Sequence, residues 1–567
     1  MAQDFTLKLE SFTGLRLSAD NTDELSVGDA SEMINFRVTT AKKLKRREGF
    51  SRVFSATEPL RGIYCGTVNG EKCFLAVCGD RLYASPGGFD SLTEMEGSLP
   101  GEEKVVFFPF HSELYLLTGE EIFRFDGEKL NPIEPYIPLI MICTPPEGGG
   151  VVYEDVNLLT KKVRQRFSPD GRNTLFPAGV ENIVGIDWVK IEGVLQPEEE
   201  CWFDYSCASF EFANTPSAGT DTIEIQYELV GEDVSDRIKR CRFATAFGGA
   251  NDTRAFLYGN PDSPAVRYHS GIVDGKPSFS YFPETAFSLV GTGEPITAIC
   301  RHYDRQLIFT AGTAYYSYLE YLTGSEGRLI AGFPILPLNE ERGCVAPGQA
   351  LLVKNTPFTL SRDGIFQWIS TNIRDERNAE CLSDPIDQAL QKESLEKGIL
   401  FNRKETSELY LCVGESCYVY HYRLKLFYRY ALPEILGFCQ EDRLYFYTRE
   451  GIFVLGGDTD DGRRIKAIWK SRLLDFSDKR KSKKLFGTTL IAKGGIGSEL
   501  SISFRGENET KKVTKRVHFF GRPEGERVSF RLPKRRFGSL ELSLETDSKE
   551  SVHVLSLFLR GRITDAE

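Results

Sequence analysis

Along most of this chain apolar and polar residues alternate in short runs, and each run is closed by an acidic residue or a glycine. The phrase recurs as Asp80-Arg-Leu-Tyr83, Glu113-Leu-Tyr-Leu116, Glu121-Ile-Phe-Arg-Phe-Asp-Gly127, Asp304-Arg-Gln-Leu-Ile-Phe309, Asp363-Gly-Ile-Phe366, Glu408-Leu-Tyr-Leu411, Asp442-Arg-Leu-Tyr-Phe-Tyr447 and Glu450-Gly-Ile-Phe-Val454. A period of two with Gly or Asp at the ends predicts a strand or hairpin for each copy. Copies spread over hundreds of residues predict an all-β chain built as a β-propeller of six or seven blades, since one small sheet needs neighbours to bury its faces.

The pattern divides the chain into five parts. Residues 1–50 read as a polar lead-in with first strands, 51–140 as the first part of the propeller, 151–236 as an inserted β module, 237–462 as the second part of the propeller, and 463–567 as a basic C-terminal β-sandwich. Thr144-Pro-Pro-Glu-Gly-Gly-Gly150 breaks the alternation before the module, with residues that favour turns. Inside the module, Ile223, Ile225, Tyr227 and Leu229 alternate with Thr222, Glu224, Gln226 and Glu228, which predicts one buried and one wet face. One helix is expected from Asp384-Pro385 to Glu396, because Asp at the cap followed by Pro suits a helix start.

Composition supports sheets: 40 Phe and 23 Tyr stand against 4 Met and 4 Trp, and aromatic residues favour strands. The net charge of −11 is unevenly spread. Residues 463–567 hold 25 Lys and Arg against 13 Asp and Glu, and the rest holds 45 against 68. Such asymmetry predicts two regions with different neighbours. The basic run at residues 42–47 is read as a solvated strand end or hairpin.

Thirteen cysteines, none spaced as Cys-x-x-Cys, are read as reduced core thiols. The N-terminus has no basic region leading into an apolar stretch, so synthesis and folding in a cytosol are expected. No window reaches the roughly 18 apolar residues of a membrane helix, and no membrane insertion is expected.

No constellation names a reaction. Ser361-Arg-Asp-Gly-Ile-Phe-Gln-Trp368 approaches the Asp-box turn of sialidase-like propellers but lacks one residue between Asp and Gly, and Ser168-Pro-Asp-Gly171 is a similar near miss. Both are read as Asp-Gly turns. The six histidines, His111, His269, His302, His421, His518 and His553, show no paired metal spacing, and neither a Gly-x-Ser-x-Gly elbow nor a phosphate loop occurs. Gly457-Asp-Thr-Asp-Asp-Gly462 departs from the carboxylate spacing of a calcium loop, and whether Asp458, Asp460 and Asp461 hold an ion stays open at this point. The expectation is a non-enzyme with no catalytic, cofactor or metal residues.

Four stretches resemble virion proteins of tailed phages and prophages, in the style of the tail hub, nozzle and DNA-stabilisation proteins of short-tailed phages. They are Gly14-Leu15 through Asn35-Phe36 to Leu44-Lys-Arg-Arg-Glu-Gly-Phe50, with Glu48 where a Pro is more usual; Tyr153-Glu-Asp-Val-Asn-Leu-Leu-Thr160; Phe247-Gly-Gly-Ala-Asn-Asp-Thr-Arg254 with Phe256-Leu-Tyr-Gly-Asn-Pro261; and Trp469 through Leu474-Asp-Phe476 to the basic residues 481–484. The resemblance implies a structural virion component, assembled in the host cytoplasm in multiple copies near the DNA exit channel. Its implied partners are its own copies, portal, neck or other tail proteins, and double-stranded DNA that passes without tight binding. Two alternatives remain at this level: a carbohydrate or host-surface binding propeller that uses Trp188, Trp202 and Tyr205 of the module, and a polysaccharide-degrading propeller enzyme.

Overall fold

The computed structural model describes residues 3–17, 26–323, 329–369, 378–476, 481–507, 509, 511–531 and 536–564. The Asp and Asn run of the lead-in (18–25) and Leu532 lie outside the described residues. The protein is all-β, and among the described residues helix is confined to single turns. All eight repeated phrases fall on strands, among them Arg81–Ser85, Arg305–Phe309, Gly364–Trp368 and Gly451–Leu455.

Among the described residues seven arrays of four antiparallel strands follow in chain order, the first five as separate sheets and the last two within larger ones. Their first strands are Leu60–Val68, Val106–Phe110, Phe243–Gly248, Ala298–His302, Leu351–Val353, Ile399–Arg403 and Gly437–Gln440. Each first strand packs beside that of the next array from the first to the sixth, and that of the seventh packs beside that of the first. The seventh array takes its outer strand from the beginning of the chain, where Phe50–Ser55 pairs with Gly451–Leu455.

Alternation explains why these arrays need one another. In the strand Glu71–Cys78, Leu75 and Val77 pack with Leu114, Leu116 and Phe125 of the second array. Their neighbours Phe74, Ala76 and Cys78 pack with Tyr447 and Ile452 of the seventh. Both faces are buried, so such strands read as continuous apolar runs.

The expected helix is replaced by three short turns, Asp384–Ile386, Asp387–Leu390 and Leu395–Lys397. The carbonyl of Pro385 accepts the backbone N–H of Leu17 at 2.6 Å, so the lead-in takes an acceptor that a continuous helix would use. Ile386, Leu390 and Leu395 anchor the segment in the core.

The module has a six-stranded sheet, which also takes Leu139–Thr144 from before the Gly/Pro break, and a three-stranded sheet of Leu175–Pro177, Ser209–Phe212 and Cys201–Asp204. Ile223, Ile225 and Tyr227 are buried, as their alternation predicts. Gln226 on the opposite face is also buried and donates to Asp187 at 2.8 Å.

The C-terminal sheets include the lead-in. Gln3–Leu9 pairs along Val552–Thr564, Leu44–Arg46 pairs with the same long strand, and Asp29–Ile34 pairs with Ala467–Ser471. One of these sheets continues through Gly14–Leu15 into the sixth array. Phe12 and Trp469, with ring centroids 5.3 Å apart and perpendicular, sit in the shared core.

Candidate binding surfaces

The acidic turn after the seventh array is answered by arginines. Arg46 donates to Asp458 at 3.1 Å, Arg47 to both oxygens of Asp460 at 2.7 and 2.6 Å, and Arg52 lies 3.5 Å from Asp461. Arg46 and Arg47 are only 1% and 3% exposed. The basic run at 42–47 thus lies on the hairpin of Phe36–Val38 with Leu44–Arg46, and Lys42 and Lys45 are exposed, but Arg46 and Arg47 are a buried clamp and not a solvated strand end. The reason is non-local: its partners lie more than four hundred residues away. All three carboxylates already face a cation, and among the described residues no group of His, Cys, Asp and Glu is arranged to hold a metal ion.

The near-miss Asp boxes are turns. Ser361 pairs directly with Gly364, which leaves Arg362 and Asp363 as a two-residue hairpin loop. Asp363 pairs with Arg342 at 2.8 Å. Trp368 is buried and donates to Thr359 Oγ1 at 3.0 Å. Asp170 accepts the backbone N–H groups of Arg172 and Asn173, which hold its carboxyl below the usual range.

A buried carboxylate joins the sixth array to the lead-in. Glu408 pairs with Arg37 at 3.0 Å and accepts hydrogen bonds from Tyr428, Tyr410 and Thr406. Every oxygen of this buried acid is answered, which makes it a structural tie between elements distant in sequence.

The three aromatics of the module divide. Trp188 is half-buried, with the Lys190 ammonium 4.4 Å from its ring centroid. Trp202 and Tyr205 are exposed, by 44% and 59%. In the three-stranded sheet Phe176, Phe210 and Phe203 point inward, and Leu175, Glu211 and Trp202 form a row across the outer face. Trp202 Nε1 donates to Glu211 at 3.1 Å, which fixes the ring on that face. Glu198 and Glu199, both exposed, precede it, and Val194 and Leu195 lie exposed on the adjoining hairpin. The outer face thus sets Leu175 and Trp202 on either side of Glu211, with further acidic residues at its border.

A cavity of about 760 Å³ opens where the seven first strands meet. Stacked aromatic pairs line it: Tyr64 with Phe107 at 5.7 Å and Phe401 with Phe438 at 4.7 Å between centroids. Glu103, Lys104, Arg242, Glu396 and Lys397 add charges of both signs. Lys104 donates to the carbonyl of Leu436 at 3.1 Å, and desolvation lowers its pKa. Neither sequence periodicity nor spacing marks these residues, because the lining is drawn from all seven arrays.

No family model and no curated protein matches the chain. Among solved structures it is similar to PorZ of the type-IX secretion system of Porphyromonas gingivalis, at 9% identity over 83% of this chain and 70% of that one, TM-score 0.23. It is also similar to the exo-beta-1,3-galactanase of Phanerochaete chrysosporium, at 8% identity over 80% of this chain and 95% of that one, TM-score 0.19. A third similarity is to the extracellular domain of the one component system BT4673 of B. thetaiotaomicron, at 12% identity and TM-score 0.19, with 80% of this chain and 59% of that one covered. At these scores the likeness carries no argument about function.

Proposed function

We propose that the seven arrays are the blades of a β-propeller and that the chain is a structural component of a tailed-phage virion, of the tail hub, nozzle or neck kind, present in several copies beside the DNA exit channel. One observation carries this reading: residues that give the lead-in its resemblance to such proteins also join the arrays to the sandwich. Asn35 donates to the carbonyl of Lys466 at 2.8 Å and accepts from Arg47 at 2.8 Å and from the N–H of Ala431 at 2.9 Å. The resemblance therefore falls on the architectural joint.

Charge agrees with this role. The lead-in is neutral, with 8 basic and 8 acidic residues, so the sandwich it joins stays basic while residues 51–462 stay acidic. Acidic walls leave phosphates without the Lys and Arg neutralisation that makes DNA binding tight. The central cavity has the size of a small-ligand site, so the duplex runs beside the propeller, between copies. Sedimentation of the purified chain, alone and mixed with portal and neck proteins, tests the reading. Complexes of several copies are expected, and a chain that stays monomeric with every partner would contradict it.

A second reading is favoured by the exposure of Trp202 and Tyr205: a carbohydrate or host-surface binding propeller, with flat aromatic faces available for sugar rings. Glycan-array binding that disappears in W202A/Y205A would support it over the virion reading.

A further inference from the structure

We infer that the outer face of the inserted module docks on the basic edge of the C-terminal sandwich of a second copy of this chain. The inference rests on the multi-copy reading above and deepens it by naming the two surfaces.

The donor surface is the Leu175, Glu211 and Trp202 row with Glu198 and Glu199 at its border. Residues 151–236 hold 17 Asp and Glu against 6 Lys and Arg, so this module carries nearly half of the acidic excess of residues 51–462. Among the described residues no element covers its outer face: the aromatic and aliphatic residues there stand exposed although the inner face of the same sheet is closed by Phe176, Phe203 and Phe210.

The receiving surface is the strand Val513–His518, the last of the ten-stranded sheet, with one paired strand among the described residues. Lys511, Lys512, Lys515 and Arg516 are all exposed there. Residues 463–567 carry an excess of 12 basic residues and the module an excess of 11 acidic ones. Opposite charges of similar size on one chain repel when like patches meet and attract when the module of one copy meets the sandwich of another. They favour a head-to-tail contact, in which each copy offers its module to the sandwich of the next and the series closes as a ring.

Two charge-reversal variants of the full chain test this: E198K/E199K in the module and K515E/R516E in the sandwich. Both sites are exposed, and an unchanged melting temperature checks folding. Each variant alone is expected to self-associate at least about tenfold more weakly than the parent, with parental association weakened by salt. An equimolar mixture of the two is expected to recover association, because a reversed module then meets a reversed sandwich. Parental association in both single variants, or no recovery in the mixture, would overturn the docking proposal and leave the multi-copy reading standing. A parent chain that is monomeric at low salt, alone and with neck proteins, would overturn both.

Discussion

Arg47 and Asp460 form a two-pronged ion pair, Nη1 to Oδ1 at 2.7 Å and Nη2 to Oδ2 at 2.6 Å, that fastens the lead-in to the turn after the seventh array. Arg47 also donates to Asn35, Glu48 and Ala431, so every prong of its buried guanidinium is used. D460A leaves that cation buried without its counter-charge, and loss of one partner in such a pair costs about 3 kcal/mol. Urea unfolding should show the drop as a lower midpoint, and an unchanged midpoint would refute the tie. Because Arg46, Arg47 and Arg52 already face the three aspartates, calcium at about 1 mM should not raise the melting temperature.

His269 sets an acid limit on stability. Burial first, then the neighbouring Arg254 and Arg267 charges, push its pKa down to about 4 from 6.5, and its ring lies 4.9 Å from that of Phe333. The folded protein therefore keeps the imidazole neutral where the unfolded chain takes a proton. The stabilisation is full above pH 6.5 and is lost as the pH falls towards 4, by about 3 kcal/mol in all. H269Q should flatten the stability profile between pH 6.5 and 4, measured by urea unfolding at each pH; an unaltered slope would exclude this assignment.

The module surface can be read with two probes. Trp368 and Trp469 are buried and Trp202 is exposed, so acrylamide quenching should fall sharply in W202F. Of the thirteen thiols Cys207 is the exposed one. A thiol reagent should label one site rapidly in the native protein, and C207S should abolish that fast phase. Fast labelling that survives in C207S would place another thiol at the surface.

Strand identity was legible in the chain, and strand partnership was not. The phrase from Asp442 to Tyr447 and the alternation from Thr222 to Leu229 yield strands because side-chain period is local. The pairing of Leu7 with Leu559 is a contact across the whole chain that no local period encodes. The same limit explains the basic residues 42–47, whose aspartate partners lie in a distant turn, and the interrupted helix at Pro385, whose carbonyl is taken by Leu17. Trp202 presented a different ambiguity: alternation places it opposite Phe203, but only the three-stranded sheet decides which side is outside.

The virion assignment is tested most directly by quantitative mass spectrometry of phage particles purified after induction of the strain that carries this sequence. The expected result is this chain present at several copies per particle, in a fixed ratio to the portal protein. Intact, infectious particles that lack it would contradict the assignment.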